Sequence, residues 1–119
     1  MRVDVYDRNG RRFAHGSGFI VSQDGVIATN LHIIEGASSA KIVFVSGLDS
    51  SVQAVVAVDK KADLVLLKTE DTNLVFLELA GSALPAIGSK VFTISTPKER
   101  DFINSLSEGL VSGHRVVGD

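Results

Sequence analysis

The sequence predicts an all-β chain, on three observations. Val, Ile, Thr and Phe gather in runs of four to eight residues. Gly, Asp, Asn and Ser separate those runs about every ten residues, the spacing of a sandwich or a barrel. No long stretch keeps the 3.6-residue apolar period of a packed helix.

The runs are Val3–Tyr6, Gly18–Ser22, Val26–Thr29, Ala40–Val45, Val52–Val58, Leu64–Lys68, Val91–Ser95 and Leu110–Val117. Asn9-Gly10 turns the chain after the first run. Asp24-Gly25, between Phe19-Ile20-Val21 and Val26-Ile27-Ala28, is the strongest hairpin signal, because such a pair supplies the positive φ of a type I′ turn. His32–Gly36 reads as a single helical turn stopped by its glycine. The expected inward positions include Val21, Ile27, Ile42, Phe44, Val56, Leu64 and Leu66.

Near residue 69 the texture changes. Glu70-Asp71-Thr72-Asn73 is a polar turn, and Gly81-Ser82 with Leu84-Pro85 forms a connector. The chain thus divides into a six-stranded unit at residues 1–68, a crossing segment at 69–89 and a two-stranded remainder at 90–119. Two strands cannot build a core. The remainder is therefore expected to pack on the first unit or to pair with another chain, and we expect self-association through residues 90–119.

Composition narrows the function classes. The chain has 119 residues, at most one small domain, with 45% hydrophobic and 22% charged residues, so wholesale disorder is not expected. Its net charge of -2 provides no field for nucleic acid or an anionic membrane, and neither partner is expected. No apolar run approaches the ~20 residues of a membrane-spanning helix. Residues 1–6 lack the apolar stretch of a secretion signal, so a signal, if the protein is exported, lies outside these residues. With no cysteine there is no disulfide, no Cys-ligated zinc and no thiol nucleophile. That fits the cytosol and many exported bacterial proteins alike.

Two residues stand out chemically. His32 follows a hairpin strand, and Asp63 opens the apolar run Leu64-Val65-Leu66-Leu67-Lys68. A carboxylate at the mouth of a buried strand needs a partner. An imidazole whose Nδ1–H is held by that carboxylate keeps one tautomer, leaving Nε2 as a general base. Adjacent barrel strands can bring the two together, and a contact within ~3.2 Å is expected. Plainer roles also fit: His32 bonded to backbone at a strand end, and Asp63 bonded to nearby amides. Asp59 is the competing carboxylate and reads as a solvated turn residue. His15 reads as a surface residue, and no role is assigned to His114. The three histidines lack the short spacing of a zinc site, so no metal is expected. Gly16-Ser17-Gly18 and Gly88-Ser89-Lys90 lack the rest of a phosphate loop, so no cofactor is expected.

Four blocks carry a resemblance. Residues 16–37, from Gly16-Ser17-Gly18-Phe19-Ile20 through Ala28-Thr29-Asn30-Leu31-His32 to Gly36-Ala37, resemble the histidine region of trypsin-like serine proteases of the HtrA/DegP kind. Asp59-Lys60-Lys61-Ala62-Asp63-Leu64-Val65-Leu66-Leu67-Lys68 resembles the aspartate region, where the second Asp is the triad member. Residues 84–97 resemble the opening of the second barrel, and Ser107-Glu108-Gly109-Leu110-Val111-Ser112-Gly113 its next strand. The blocks stand in the family's order. The resemblance implies a six-stranded trypsin-like β-barrel plus the first two strands of an incomplete second barrel, with His32 and Asp63 as catalytic residues. It also implies a peptide or unfolded-protein substrate, no cofactor, and a bacterial periplasmic or other extracytoplasmic location.

One part of the family's pattern is missing. The nucleophile of such proteases lies in Gly-Asn-Ser-Gly-Gly or Gly-Asp-Ser-Gly-Gly, and neither string occurs among the 119 residues. The chain alone is therefore expected to be inactive. It supplies a general base and its orienter for peptide-bond hydrolysis by a longer protein. The competing expectation is a non-catalytic protease-like module that binds a peptide or partner chain.

Overall fold

The computed structural model describes residues 1–95 and 105–115. In chain order the strands are β1 (Arg2–Tyr6), β2 (Arg12–Ile20), β3 (Val26–Asn30), β4 (Ser39–Val43), β5 (Asp49–Asp59), β6 (Leu64–Thr69), β7 (Lys90–Ser95) and β8 (Ser105–Leu110). One helical turn, α1 (Leu31–Ile34), follows β3. The first six strands close into an antiparallel barrel in the order β1-β2-β3-β6-β5-β4, and β7 pairs with β8 in a separate two-stranded sheet. The all-β reading holds, with six barrel strands and two beyond them. Closure leaves the barrel no unpaired edge.

The barrel interior is built from alternate residues of short strands. Val3 and Val5 of β1, Ile27 of β3, Ile42 of β4, and Val65 and Leu67 of β6 are at most 1% exposed. Burying each such side chain stabilises the fold by about 1.5–3 kcal/mol. Ile27 and Ile42 are inward as expected, and Phe44 packs against the cluster. The phase of β6 is the reverse of the expectation: Val65 and Leu67 point in, while Leu64 is 48% exposed and Leu66 only partly buried. The pairing of Asn30 with Leu64 at the end of the β3–β6 ladder sets that phase. Val56 is also outside, at 54% exposure. Two register shifts in β5, at Val52/Ala54 and Val55/Ala57, break the period-2 alternation on which its inward assignment rested. Val21 lies between the buried and exposed classes, in the β2–β3 loop.

The turn at Asp24-Gly25 departs from type I′. Gly25 has φ 91, but Asp24 does not share a positive φ. Val21 and Val26 bracket a four-residue loop, with Gly25 N donating to Ser22 O at 3.3 Å. Glycine is required there for space as well. A Cβ on Gly25 would lie 2.7 Å from the Asp71 carbonyl oxygen.

On the outer face of β1, Asp4 is 3% exposed yet charged. Arg2 covers it with a bidentate pair of bonds, Nε at 2.8 Å and Nη2 at 3.0 Å, with Arg12 Nη1 at 3.6 Å. This geometry satisfies a carboxylate that would otherwise be costly to bury.

The last strand overlaps the Ser107–Gly113 block that the resemblance marks as a strand but differs from the apolar run read at Leu110–Val117. β8 occupies Ser105–Leu110, ahead of the expected Leu110–Val117, and residues 111–115 carry no strand. The parts of the expected segments that fall on residues 96–104 and 116–119 lie outside the described residues. β7 and β8 run in register from Lys90↔Leu110 to Ser95↔Ser105. Gly88 N donates to Val111 O at 2.7 Å, and Val111 N to Ser89 O at 2.9 Å, extending the pair at one end.

Candidate active site

β3 delivers His32. The strand ends at Asn30, and the chain turns at once into α1, which contains His32 as its second residue. Glu35 leaves the helical conformation and Gly36 follows with φ 76, so the turn stops where the glycine allows it. Ile33, the next residue, packs over Gly16 of β2. A Cβ at Gly16 would come within 2.7 Å of the Ile33 side chain. The missing side chain at Gly16 thus lets α1 sit against the barrel.

β6 delivers Asp63. The turn before it is tied by Asp59, whose Oδ1 accepts a bond from Ala62 N at 3.0 Å. This is the turn role expected of Asp59. Asp63 N donates to Lys60 O at 3.3 Å. Asp63 itself adopts a left-handed backbone at φ 55, uncommon for a residue with a Cβ although Asp tolerates it better than most.

The two side chains meet. His32 Nδ1 lies 2.5 Å from Asp63 Oδ2, and His32 N donates to Asp63 Oδ1 at 2.8 Å. Both carboxylate oxygens therefore face one residue. The bond from the His32 ring is the main reason the Asp63 carboxyl titrates below its ordinary value; the His32 backbone amide adds to it, and partial desolvation opposes both. Held this way, the imidazole keeps its proton on Nδ1, and Nε2 is the nitrogen that can exchange one. The His32 side chain is 63% exposed and that of Asp63 43%. The chemistry available to such a pair is proton transfer at an open surface.

The other candidates lie elsewhere. His15 is half-buried on β2, opposite Asp4 of β1. His114 Nε2 donates to the Pro85 carbonyl at 2.6 Å. Among the described residues no three His, Asp or Glu side chains are grouped to hold a metal ion. A mainly apolar cavity of about 580 Å³ lies between the barrel and β7, with Met1, Phe19, Phe44, Phe76, Phe92 and Ile94 among its walls. Neither His32 nor Asp63 lines it.

Asn30, to which the sequence assigns no role, also joins this site. Asn30 Nδ2 donates to the Asp63 carbonyl oxygen at 3.0 Å. The available signal was an asparagine placed just before a single helical turn, a capping position.

Comparison with known proteins agrees with this architecture. The model of the trypsin-like peptidase domain matches residues 16–118. A probable periplasmic serine endoprotease, DegP-like, of Halomonas elongata is 37% identical over 97 residues, covering 82% of this chain and 20% of that protein. Serine protease HTRA1A of Danio rerio is 35% identical over 112 residues, covering 93% of this chain and 23% of that protein. The crystal structure of the serine endoprotease from Yersinia pestis superposes with a TM-score of 0.79 at 31% identity, covering 94% of this chain and 40% of that one. The chain thus spans about a fifth of the length of these two curated relatives.

Proposed function

This chain belongs to the trypsin-like peptidase family, of the HtrA/DegP kind, and from that premise we propose that His32 and Asp63 are the general base and orienting carboxylate of a serine endopeptidase. The observation that carries the proposal is the double contact of Asp63 with His32, through Nδ1 and through the backbone amide. On this reading residues 1–68 form the first barrel, 69–89 the crossing connector and 90–119 the opening of the second barrel.

The chemistry follows from the tautomer. A serine hydroxyl, supplied from outside the 119 residues, attacks the carbonyl carbon of a peptide bond. Its proton passes to His32 Nε2, which becomes imidazolium beside the Asp63 carboxylate. The tetrahedral intermediate collapses, the C–N bond breaks, and the same proton leaves on the amine. Water then repeats the sequence in reverse roles, releasing the acid and restoring the serine. Asp63 stays ionised throughout and stabilises the transient positive ring. The substrate proposed is a peptide or unfolded polypeptide. The 119 residues alone are proposed to be inactive, because a base and its orienter have no nucleophile to activate.

The test uses the parent gene. A longer protein carrying Gly-x-Ser-Gly-Gly should hydrolyse casein and react with a fluorophosphonate. In that protein His32→Ala should abolish turnover, and Asp63→Asn should lower it by about 10⁴-fold, the loss typical of a triad aspartate. Cleavage unaffected by His32→Ala would exclude His32 as the base. If the parent gene encodes no such serine, the non-catalytic module is the correct reading. We also propose self-association through residues 90–119, since Phe92, Ile94, Leu106 and Leu110 remain exposed.

A further inference from the structure

Asn30 stands at the N-cap of α1 with extended backbone, φ -80 and ψ 140. An asparagine in that position ordinarily turns its side-chain oxygen onto the amides of the first turn. Asn30 makes no such bond. Its side-chain amide crosses instead to the residue before β6 and donates to the Asp63 carbonyl at 3.0 Å. The same carbonyl accepts Leu31 N at 3.1 Å. A carbonyl oxygen has two lone pairs, so both acceptor directions of Asp63 are taken by consecutive residues of the β3–α1 junction. His32, the next residue in line, engages both carboxylate oxygens. Three successive residues thus grip one aspartate, whose backbone sits in the left-handed region at φ 55.

We propose that Asn30 is a positioning residue for the His32–Asp63 pair: its amide holds the Asp63 carbonyl in the left-handed turn and so aims both carboxylate oxygens at His32. The inference rests on the reading of that pair as base and orienter. Leu31 N alone fixes one direction of the carbonyl and leaves the peptide unit free to rock about it. The bond from Asn30 supplies the second direction. Because the Asp63 Cα is shared by the carbonyl and the carboxylate, rocking the first misaligns the second. The diverted cap side chain is the cost, and the alignment of Asp63 is the return.

The test is made on the 119-residue chain by NMR. Asp63 is followed through its side-chain carboxyl carbon across pH, and His32 through its Nδ1 proton. Asn30→Ser keeps a good N-cap residue but is too short to reach the Asp63 carbonyl. We expect the Asp63 titration to move up toward the ordinary carboxylate value, as its bonds from His32 loosen, and the Nδ1 proton to broaden or shift upfield. A folded Asn30→Ser chain with both signals unmoved overturns the proposal. So does a lower melting temperature with both signals unmoved, because Asn30 would then be structural only. If Asn30→Ser does not fold, Asn30→Asp serves, being near-isosteric and an equally good N-cap that cannot donate. Loss of the Nδ1 signal there supports the proposal, and its retention overturns it. The wild-type spectra separate the two levels. A wild-type chain without a hydrogen-bonded Nδ1 proton removes the His32–Asp63 reading itself. A wild-type chain with that proton and an unmoved variant removes only the role of Asn30.

Discussion

Protonating Asp63 would give up its bonds to the ring and the amide of His32, which is why its carboxyl titrates below the ordinary value of 3.8. The sign of the consequence follows from linkage. A folded-state pKa below the unfolded one means that the unfolded chain binds the proton more readily. The contribution to stability is therefore fully present above the unfolded value and is lost as pH falls through the folded one. With both side chains substantially exposed, the effect is small and screened by salt. We expect the melting-temperature difference between wild type and Asp63→Asn to shrink as pH falls below the ordinary carboxylate value of 3.8. Melting curves at low ionic strength measure it, and a difference that grows as pH falls below that value would contradict the assignment.

Strand phase and turn geometry decide which residues of an element matter. On β6, Leu67 is 1% exposed and Leu64 is 48% exposed, although both are leucines in one apolar run. Leu67→Ala should destabilise the chain by about 2–5 kcal/mol, and Leu64→Ala by less than about 1 kcal/mol. Urea unfolding of the two variants checks the phase directly; equal costs would mean that the β3–β6 register is wrong. At the β2–β3 loop, Gly25 combines φ 91 with a Cβ position 2.7 Å from the Asp71 carbonyl oxygen and 2.5 Å from Thr69 Oγ1. The Gly25 carbonyl also accepts Thr69 N at 2.9 Å and Thr69 Oγ1 at 3.1 Å, so the loop cannot move aside without breaking bonds. Gly25→Ala should therefore cost about 2–3 kcal/mol, well above an ordinary surface change. A neutral result by the same unfolding assay would show that the loop relaxes freely.

The barrel and the strands beyond it solve the edge problem differently. The six barrel strands close on themselves, whereas among the described residues β7 and β8 pair only with each other. Their register places Phe92, Ile94, Leu106 and Leu110 on one face, each more than half exposed. Phe92 and Ile94 also wall the cavity shared with the barrel, which leaves that side of β7 incompletely packed. An apolar face of this kind on a two-stranded sheet is not stable in water by itself. Light scattering should show a mass above that of one chain, rising with concentration, and Phe92→Lys should lower it. A strict monomer at high concentration would refute self-association through these strands.

Local chemistry made much of this molecule legible in advance. β-branched runs set between turn residues announced strands, because branched side chains suit a pleated surface and Gly suits positive φ. Gly36 stops the helical turn as its position suggested. The blocks that resemble the family's histidine and aspartate regions implied a pair, and the side chains of His32 and Asp63 do stand in contact. Other features had no local signature. Leu64-Val65-Leu66-Leu67 is apolar throughout, so it has no alternation from which to read an inward phase; pairing with β3 assigns it. β2 extends back to Arg12 because it pairs with β1, though Arg12, Ala14 and Gly16 do not read as strand formers. β8 lies on Ser-Leu-Ser-Glu-Gly-Leu, too polar for its composition to mark a strand, so that the resemblance alone placed one across Ser107–Leu110; β7 supplies its hydrogen bonds. The left-handed Asp63 and its bond from Asn30 join residues 33 apart in sequence, and only the closed barrel brings that backbone carbonyl to that amide. Propensity acts between near neighbours along the chain, whereas register, phase and the grip on Asp63 arise between strands that meet only when the barrel closes.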